Sequence, residues 1–401
     1  MKTIPPSLLI LGMCIAEALS MLTFATFPTL LPGFQQEWNL NNTEAGWISG
    51  IYFFGYVLAV GILTALTDRV DPRRVYLGSL LLSVLSAIGF GFSADGVLSA
   101  SVWRLLQGFG LAGTYMPGLK ALTDALPQQS HSRAVAFYTS SFSVGASCSI
   151  FLSGMLADSL GWRWAFYLVA LGPILAAVLV LRLLPPKPPG KDKPVTHLLD
   201  FRPVLRNRPA LGFTLAYAAH NAELFGLRSW IVAFLVFCQL QQSPDAWGLA
   251  WSAASIAAVF NLLGMPASIL GNELAGRIGR EKTLTLVMTA SAVMAVVFGF
   301  AGGSGMLWVL LIAGIYSVTV TADSATITAG MVAAAEPGYR GATMAVHSLI
   351  GFVGAFIGPV LFGIVLDATG GQESTLAWGL AFTTMGLVVA LGPVAVRRLA
   401  R

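Results

Sequence analysis

The chain has 401 residues, of which 56% are hydrophobic and 10% charged. Soluble domains carry about 25% charged residues, so a water-soluble fold, which needs polar groups to cover its surface, is excluded. The net charge of +5 raises a nucleic-acid partner as an alternative, and the placement of the cations removes it.

Apolar runs of around twenty residues call for membrane-spanning helices, whereas barrel strands would be short and alternating. In chain order we place spans at 7–32, 44–66, 75–93, 98–122, 135–157, 164–184, 210–238, 246–270, 283–301, 305–333, 341–366 and 376–396. The opening "MKTIPPSLLILGMC" has one cation, and its apolar run continues past Cys14. It reads as an uncleaved first span. The Pro- and Lys-rich stretch 185–209 reads as a solvated linker with room for a short surface helix, dividing the spans six and six. The fold class expected is therefore an all-α integral membrane protein of twelve transmembrane helices. Its two pseudo-symmetric six-helix bundles are 1–184 and 210–401, joined by the cytoplasmic linker 185–209.

With the N-terminus inside, 20 of the 23 Lys and Arg fall on the inner side, leaving only Arg104, Arg163 and Arg228 elsewhere. That bias places both termini in the cytoplasm of a multi-pass inner-membrane protein. The basic balance is thus a topology signal, and no nucleic-acid partner is expected. The halves also repeat. Leu66, Arg69 and Val70 of "TALTDRVDPRR" fall on Leu274, Arg277 and Ile278 of "NELAGRIGREK". Gly154, Asp158 and Gly161 of "GMLADSLGW" fall on Gly363, Asp367 and Gly370 of "GIVLDATGG". Two parallel six-helix repeats are a transporter layout.

These features together resemble the major facilitator superfamily. "LTDRVDPRR" is similar to its loop motif between helices 2 and 3, with Asp71 where a glycine is usual. "RLLQGFGLA" (104–112) fits its helix 4 motif, and "GWRWAF" (161–166) resembles the opening of helix 6. Helix 5, "SFSVGASCSIFLSG", lacks the Gly-Pro pair usual in proton-antiporting exporters; a Gly-Pro stands in helix 11 instead. The resemblance implies a cavity lined by helices 1, 4, 7 and 10.

Those four spans carry the deep ionisable residues: Glu17, Arg104, then His220, Glu223 and Arg228, then Asp323. A charge near the bilayer centre costs roughly 2.5–3.5 kcal/mol on insertion scales, so each needs a reason. At 100° per residue, Tyr316, Thr319, Asp323, Thr326 and Gly330 share an arc of about 80°. Arg104, Gln107, Gly108, Tyr115 and Gly118 form a similar face on helix 4. His220 and Glu223 share a face of helix 7, while Arg228 points about 140° away. The candidate substrate and proton cavity is therefore Glu17, Arg104, Gln107, Tyr115, Tyr217, His220, Asn221, Glu223, Arg228, Tyr316, Thr319, Asp323 and Thr326. Outside these helices the one deep candidate is His347. Asp68, Arg69 and Arg73 are read as gating and packing residues, with Asp68 facing the N-terminus of helix 11.

Each residue also has a plainer role open to it. Arg104 can tie helix 4 to a neighbour, Arg228 can pair with a carboxylate, and His220 can be a neutral helix contact. Trp38, Trp162, Trp164, Trp247, Trp308 and Trp378 need only be interfacial anchors. Expected is a proton-coupled secondary transporter of a small solute, an organic anion or metabolite first, acting as a monomer in the lipid bilayer. Burial favours the neutral form of a carboxyl group, so Glu17, Glu223 and Asp323 are the candidate proton carriers. Arginines suit an anionic substrate. The main alternative is a proton-antiporting exporter of cationic or multidrug compounds. A ligand-binding receptor on the same fold is a third. No metal-ligand spacing, catalytic triad or phosphate loop is present, so neither an enzyme nor a cofactor or metal site is expected.

Overall fold

The structure is a computed structural model that describes residues 5–67, 69–186, 201–242, 251–336 and 338–399. Asp68, Trp247, most of the 185–209 linker and the predicted start of helix 8 at 246 lie outside the described residues. The described residues form α-helices with short 3-10 turns and no strand. In order the helices are α1 (Pro6–Ser20), α2 (Thr26–Trp38), α3 (Asn42–Leu66), α4 (Pro72–Ser93), α5 (Val97–Asp124) and α6 (His131–Leu160). Then come α7 (Trp162–Val169), α8 (Leu171–Leu183), α9 (Arg202–Arg206), α10 (Arg208–Leu240), α11 (Ala253–Leu262) and α12 (Gly264–Ile278). The last are α13 (Arg280–Phe300), α14 (Met306–Ala322), α15 (Ser324–Ala334), α16 (Arg340–Thr369) and α17 (Thr375–Leu399).

Joined across their breaks, these give 11 segments long and apolar enough to cross a membrane. The remaining predicted span, α5, has 28 residues but carries Arg104, Gln107, Lys120 and Asp124. It is a crossing element diluted by the polar residues expected of it. The short α9 occupies the linker. Predicted spans 1, 6, 8 and 10 are each two helices: α1 with α2, α7 with α8, α11 with α12, and α14 with α15.

The chain divides into two compact units. The first holds the residues up to Leu30 and those from Phe54 to the linker; the second holds Leu31–Phe53 and everything after the linker. The adjoining ends of α2 and α3 therefore group with the second unit, a feature the periodicity alone did not foresee. In the first unit, Leu9 and Met13 of α1 pack with Tyr76 and Leu80 of α4, Leu122 of α5, Tyr138 of α6 and Val180 of α8. In the second, Ala216 of α10, Leu284 and Met288 of α13, Ile327 of α15 and Val389 of α17 make a core. Trp378 belongs to an aromatic cluster there, 5.2 Å from Phe234 and 6.1 Å from Trp230. Its indole donates to Gln372 O at 2.8 Å. The expectation that it is an interfacial anchor is corrected: it is fully buried.

Outward faces are apolar. Leu307, Trp308, Leu311 and Ile315 recur along α14 and stay exposed, as do Leu171, Ile174, Leu175 and Leu181 on α8. In water such faces would drive association; in hydrocarbon they are the solvated surface.

The repeat read from sequence has a backbone basis. Gly161 ends α6 with φ 88° and Gly370 ends α16 with φ 120°. Both are left-handed C-terminal positions, which glycine adopts without a Cβ penalty.

Candidate functional site

The break between α1 and α2 begins with one residue. Pro28 has no N–H, so the carbonyl four residues back, Phe24 O, has no helical donor. Arg104 Nη1 fills that place at 3.2 Å, and also donates to Gln107 Oε1 at 2.9 Å. The Arg104 guanidinium lies 5.8 Å from the Phe27 ring centre. Serines of α6 repair the rest of the break. Ser149 Oγ donates to Leu22 O at 2.7 Å and accepts from Ala25 N at 3.0 Å, and Ser153 Oγ donates to Thr26 Oγ1 at 3.0 Å. The serine-rich character of helix 5 thus serves helix 1. Arg104 and Gln107, read as cavity residues, are occupied in holding that break.

Glu17 stands on α1, roughly 17 Å along the axis from Pro6 at 1.5 Å per residue. It is fully buried. Tyr138 of α6 donates its hydroxyl to Glu17 Oε2 at 2.9 Å, Ser20 Oγ approaches the same oxygen at 3.4 Å, and Tyr76 adjoins the carboxyl group. Tyr115 packs edge-on to Phe142 at 5.7 Å and alongside Tyr138 at 6.2 Å. The first unit therefore joins Glu17 and Tyr115 through Tyr138, a residue that sequence reading passed over because tyrosine in a span is common.

In the second unit Glu223 of α10 is equally buried. Its Oε1 accepts from Ser291 Oγ of α13 at 2.8 Å and from Tyr316 OH of α14 at 3.1 Å. Its Oε2 has no hydrogen-bond partner among the described residues. The two units thus share a device: a glutamate on the first helix of each half whose carboxyl group accepts from a tyrosine hydroxyl, with Ser291 also donating to Glu223 while Ser20 donates to Glu17 O at 2.8 Å. The tyrosines stand on different repeat helices, α6 and α14, so the sequence repeat alone could not pair them.

One helical turn from Glu223, His220 Nδ1 lies 2.8 Å from Asp323 Oδ1, with both side chains at most 2% exposed. Asp323 sits in the break between α14 and α15. Tyr217 stacks on His220 at 6.0 Å and on His347 of α16 at 4.1 Å, the ring planes within 14° and 11° of parallel. Asn221 adjoins the Tyr217 hydroxyl. His220, Glu223, Tyr316, Asp323, Tyr217 and Asn221 therefore form one buried neighbourhood, as the helical arcs implied. Ser291 and His347 join them from α13 and α16, outside the four helices expected to line a cavity.

Other expected members lie elsewhere. Arg228 stacks on Phe225 at 5.4 Å, on its own helix. Thr319 bonds back to Tyr316 O at 3.1 Å, and Thr326 reaches across to Gly271 O at 3.3 Å. These two threonines satisfy helix backbone. Among the gating residues, Arg69 is exposed. Arg73 Nη2 donates to Leu181 O at 2.9 Å, filling one of the carbonyls left open at the C-terminal end of α8. Asp71, standing where a glycine is usual, caps α4 by accepting from Arg73 N at 2.9 Å.

One polar group went unread. Asp367, at the end of α16, accepts from Asn42 N at 3.0 Å and Asn42 Nδ2 at 2.8 Å through Oδ1. Its Oδ2 accepts from Thr43 N at 2.8 Å and Thr43 Oγ1 at 2.6 Å. A carboxylate thus seals the N-terminus of α3. Its signal was present, since Asp367 is the repeat partner of Asp158.

Comparison with known proteins agrees with this architecture. A probable sphingolipid transporter, spinster homologue 1, of Arabidopsis thaliana is 28% identical over 155 residues, 39% of this chain and 31% of that protein. The chain therefore spans under a third of the length of that relative. The benzoate transport protein of Acinetobacter baylyi is 24% identical over 371 residues, covering 84% of this chain and 78% of that protein. The crystal structure of a bacterial homologue of the human lysosomal transporter Spinster, inward-facing and unoccupied, superposes with a TM-score of 0.74 at 17% identity. That superposition covers 98% of this chain and 95% of the other. The family model for the Major Facilitator Superfamily matches residues 13–359, and the chain belongs to that family.

Proposed function

We propose that this protein is a secondary active transporter that moves a small organic anion or metabolite across the inner membrane, coupled to protons and by alternating access. On this reading it acts as a monomer with both termini in the cytoplasm. The observation that carries it is the His220–Asp323 contact of 2.8 Å beside the hydroxyl-cradled Glu223, all buried within a membrane-spanning bundle. Apolar residues would fill those positions at less cost, since a buried carboxylate is expensive unless it has a task. An imidazole and carboxyl groups in one neighbourhood are the side-chain types that proton coupling uses. Glu17 in its Tyr138 and Ser20 setting supplies a similar group in the first half. The similarity to a benzoate transport protein supports an anionic solute.

One observation favours a second reading, a proton-antiporting exporter of cations. Arg104 is engaged on Phe24 O and Gln107, which leaves the carboxyl groups as the more available charges. Purified protein in liposomes with an imposed pH gradient separates the two. Gradient-driven accumulation of labelled benzoate, lost in Asp323→Asn, is expected. Benzoate movement that ignores both the gradient and the substitution removes proton coupling. Gradient-driven loss of a lipophilic cation, with benzoate inert, selects the exporter.

A further inference from the structure

Two helices of the second unit carry a feature that moving a solute does not call for. α13 and α17 lie in close contact. A Cβ on Gly386 would stand 2.7 Å from Ala292 O, one on Gly299 would stand 2.6 Å from Phe382 Cβ, and one on Gly392 would fall on Met288. Residue numbers rise along one helix as they fall along the other, so the pair is antiparallel. The outward side of α13 presents Lys282, Leu286 and Val293, and that of α17 presents Leu387, Leu391 and Arg398. The four apolar side chains are each more than half exposed, and both cations are exposed. At 100° per residue, each set lies about 80–140° round its helix from Ala292 or Gly386, where the helices meet. A turn of the same sense on two antiparallel helices leads to the same side, so both stripes border one outward groove.

Each stripe ends in a cation. Lys282 stands 11 residues before Val293, and Arg398 stands 11 after Leu387. Both separations are about 16 Å at 1.5 Å per residue, the depth of one leaflet of a hydrocarbon core about 30 Å thick. Arg397 Nε lies 3.3 Å from Glu281 Oε1, which sets the two cationic ends at one level. Glu281 is the one acid in either helix, so Lys282, Arg397 and Arg398 meet a single negative charge there. Arg280 is turned about 120° from Ala292 in the opposite sense, away from the groove.

From this arrangement we propose that the α13–α17 groove binds an anionic phospholipid, its acyl chains along the two apolar stripes and its phosphate held by Lys282 and Arg398. Topology asks only that cations stand on one side of the membrane; it does not ask them to share the register of the lipid-facing stripes. Charge selects the occupant. A zwitterionic lipid would bring an ammonium group to two cations, whereas an anionic one brings net negative charge, and a guanidinium meets phosphate through paired hydrogen bonds. The outward face of α14 is the contrast. Leu307, Leu311 and Ile315 are about as exposed, yet neither α14 nor α15 contains a Lys or Arg.

Which leaflet supplies the lipid rests on the proposed topology; the site itself needs neither that topology nor transport. The test uses the full chain in liposomes of phosphatidylglycerol and phosphatidylcholine, doped with an acyl-chain photoreactive analogue of either lipid and mapped by peptide mass spectrometry after illumination. One Lys or Arg near a surface favours an anionic lipid by about 5-fold. The phosphatidylglycerol probe is therefore expected to label α13 and α17 at least about 5-fold over the phosphatidylcholine probe at low salt, with no such preference on α14. Lys282→Gln with Arg398→Gln is expected to bring α17 down to the ratio of α14, while Arg277→Gln with Arg280→Gln keeps the preference. Equal ratios on α17 and α14 in the unaltered chain overturn the proposal. So does a preference that both double variants leave unchanged, or that both lower alike, since the latter marks a diffuse belt of charge in place of a site.

Discussion

Replacing Asp367 by Asn changes one atom and reverses the chemistry of the seal on α3. The carboxylate accepts from two backbone amides and two side chains at 2.6–3.0 Å. An asparagine has one acceptor oxygen, and its NH2 would confront two of those donors. Hydrogen bonds to a charged group contribute about 1.5–3 kcal/mol each when isolated, and a charge at a helix N-terminus adds about 0.3–1 kcal/mol. Asp367 is exposed, so water replaces much of what is lost. A total near 2 kcal/mol is expected, or roughly 30-fold in a local opening equilibrium. Gly363, where a Cβ would fall on Asn42 O, and Gly46, where it would fall on Pro359 O, keep the two helices close and ought to confine the effect to this end. Hydrogen exchange measured by mass spectrometry is the assay. The Asn42 and Thr43 amides should lose about 30-fold of their protection while those of α13 and α17 keep theirs. Unchanged protection at Asn42 and Thr43 would refute the reasoning, because their hydrogens would then not depend on the carboxylate.

Three further outcomes follow from the same hydrogen-bond accounting. Arg104→Ala leaves Phe24 O and Gln107 without their donor and should lower stability in a denaturant or thermal series by about 2–3 kcal/mol. Adding Pro28→Ala restores an amide for Phe24 O and should recover part of that loss. Strict additivity in the double-mutant cycle would show that Arg104 does not serve the carbonyl. Gly351→Ala drives a methyl into Tyr217 and should cost about 1–3 kcal/mol, seen as a lower melting temperature together with altered His347 resonances; a silent substitution would mean the rings are loosely held. Glu281→Gln breaks a pair with Arg397 in which both side chains are more than half exposed, at 3.3 Å. Double-mutant cycles at such sites give under about 1 kcal/mol, and a larger stability loss would point to a network beyond this pair.

Much of the architecture was legible before any coordinates. Composition required a bilayer, run length required helices, and the Gly161 and Gly370 repeat marked two helix ends that the backbone places at positive φ. Periodicity put His220 and Glu223 on one face of their helix, and the folded chain keeps them beside each other with Asp323 close to His220, because a helix fixes which residues share a face. It gave no access to partners contributed by other helices. Tyr138 and Ser291 are ordinary span residues until folding brings them to Glu17 and Glu223. The expectation for Arg104 took the guanidinium as a ligand for substrate, while Pro28, far away in sequence, had already opened a carbonyl for it.

The sequence by itself determined the solvent, the number and rough limits of the spans and the presence of costly buried charge. These follow from local chemistry: hydropathy, the spacing of apolar residues, and the missing hydrogen of a proline. Tertiary structure alone decided which oxygen or nitrogen each buried group meets. It set the tyrosine hydroxyls that meet the two glutamates, the stacking of His220 and His347 on Tyr217, and the use of Asp367 as a helix seal. A hydrogen bond depends on a few tenths of an ångström between atoms that can lie hundreds of residues apart, and no one-dimensional pattern holds that distance.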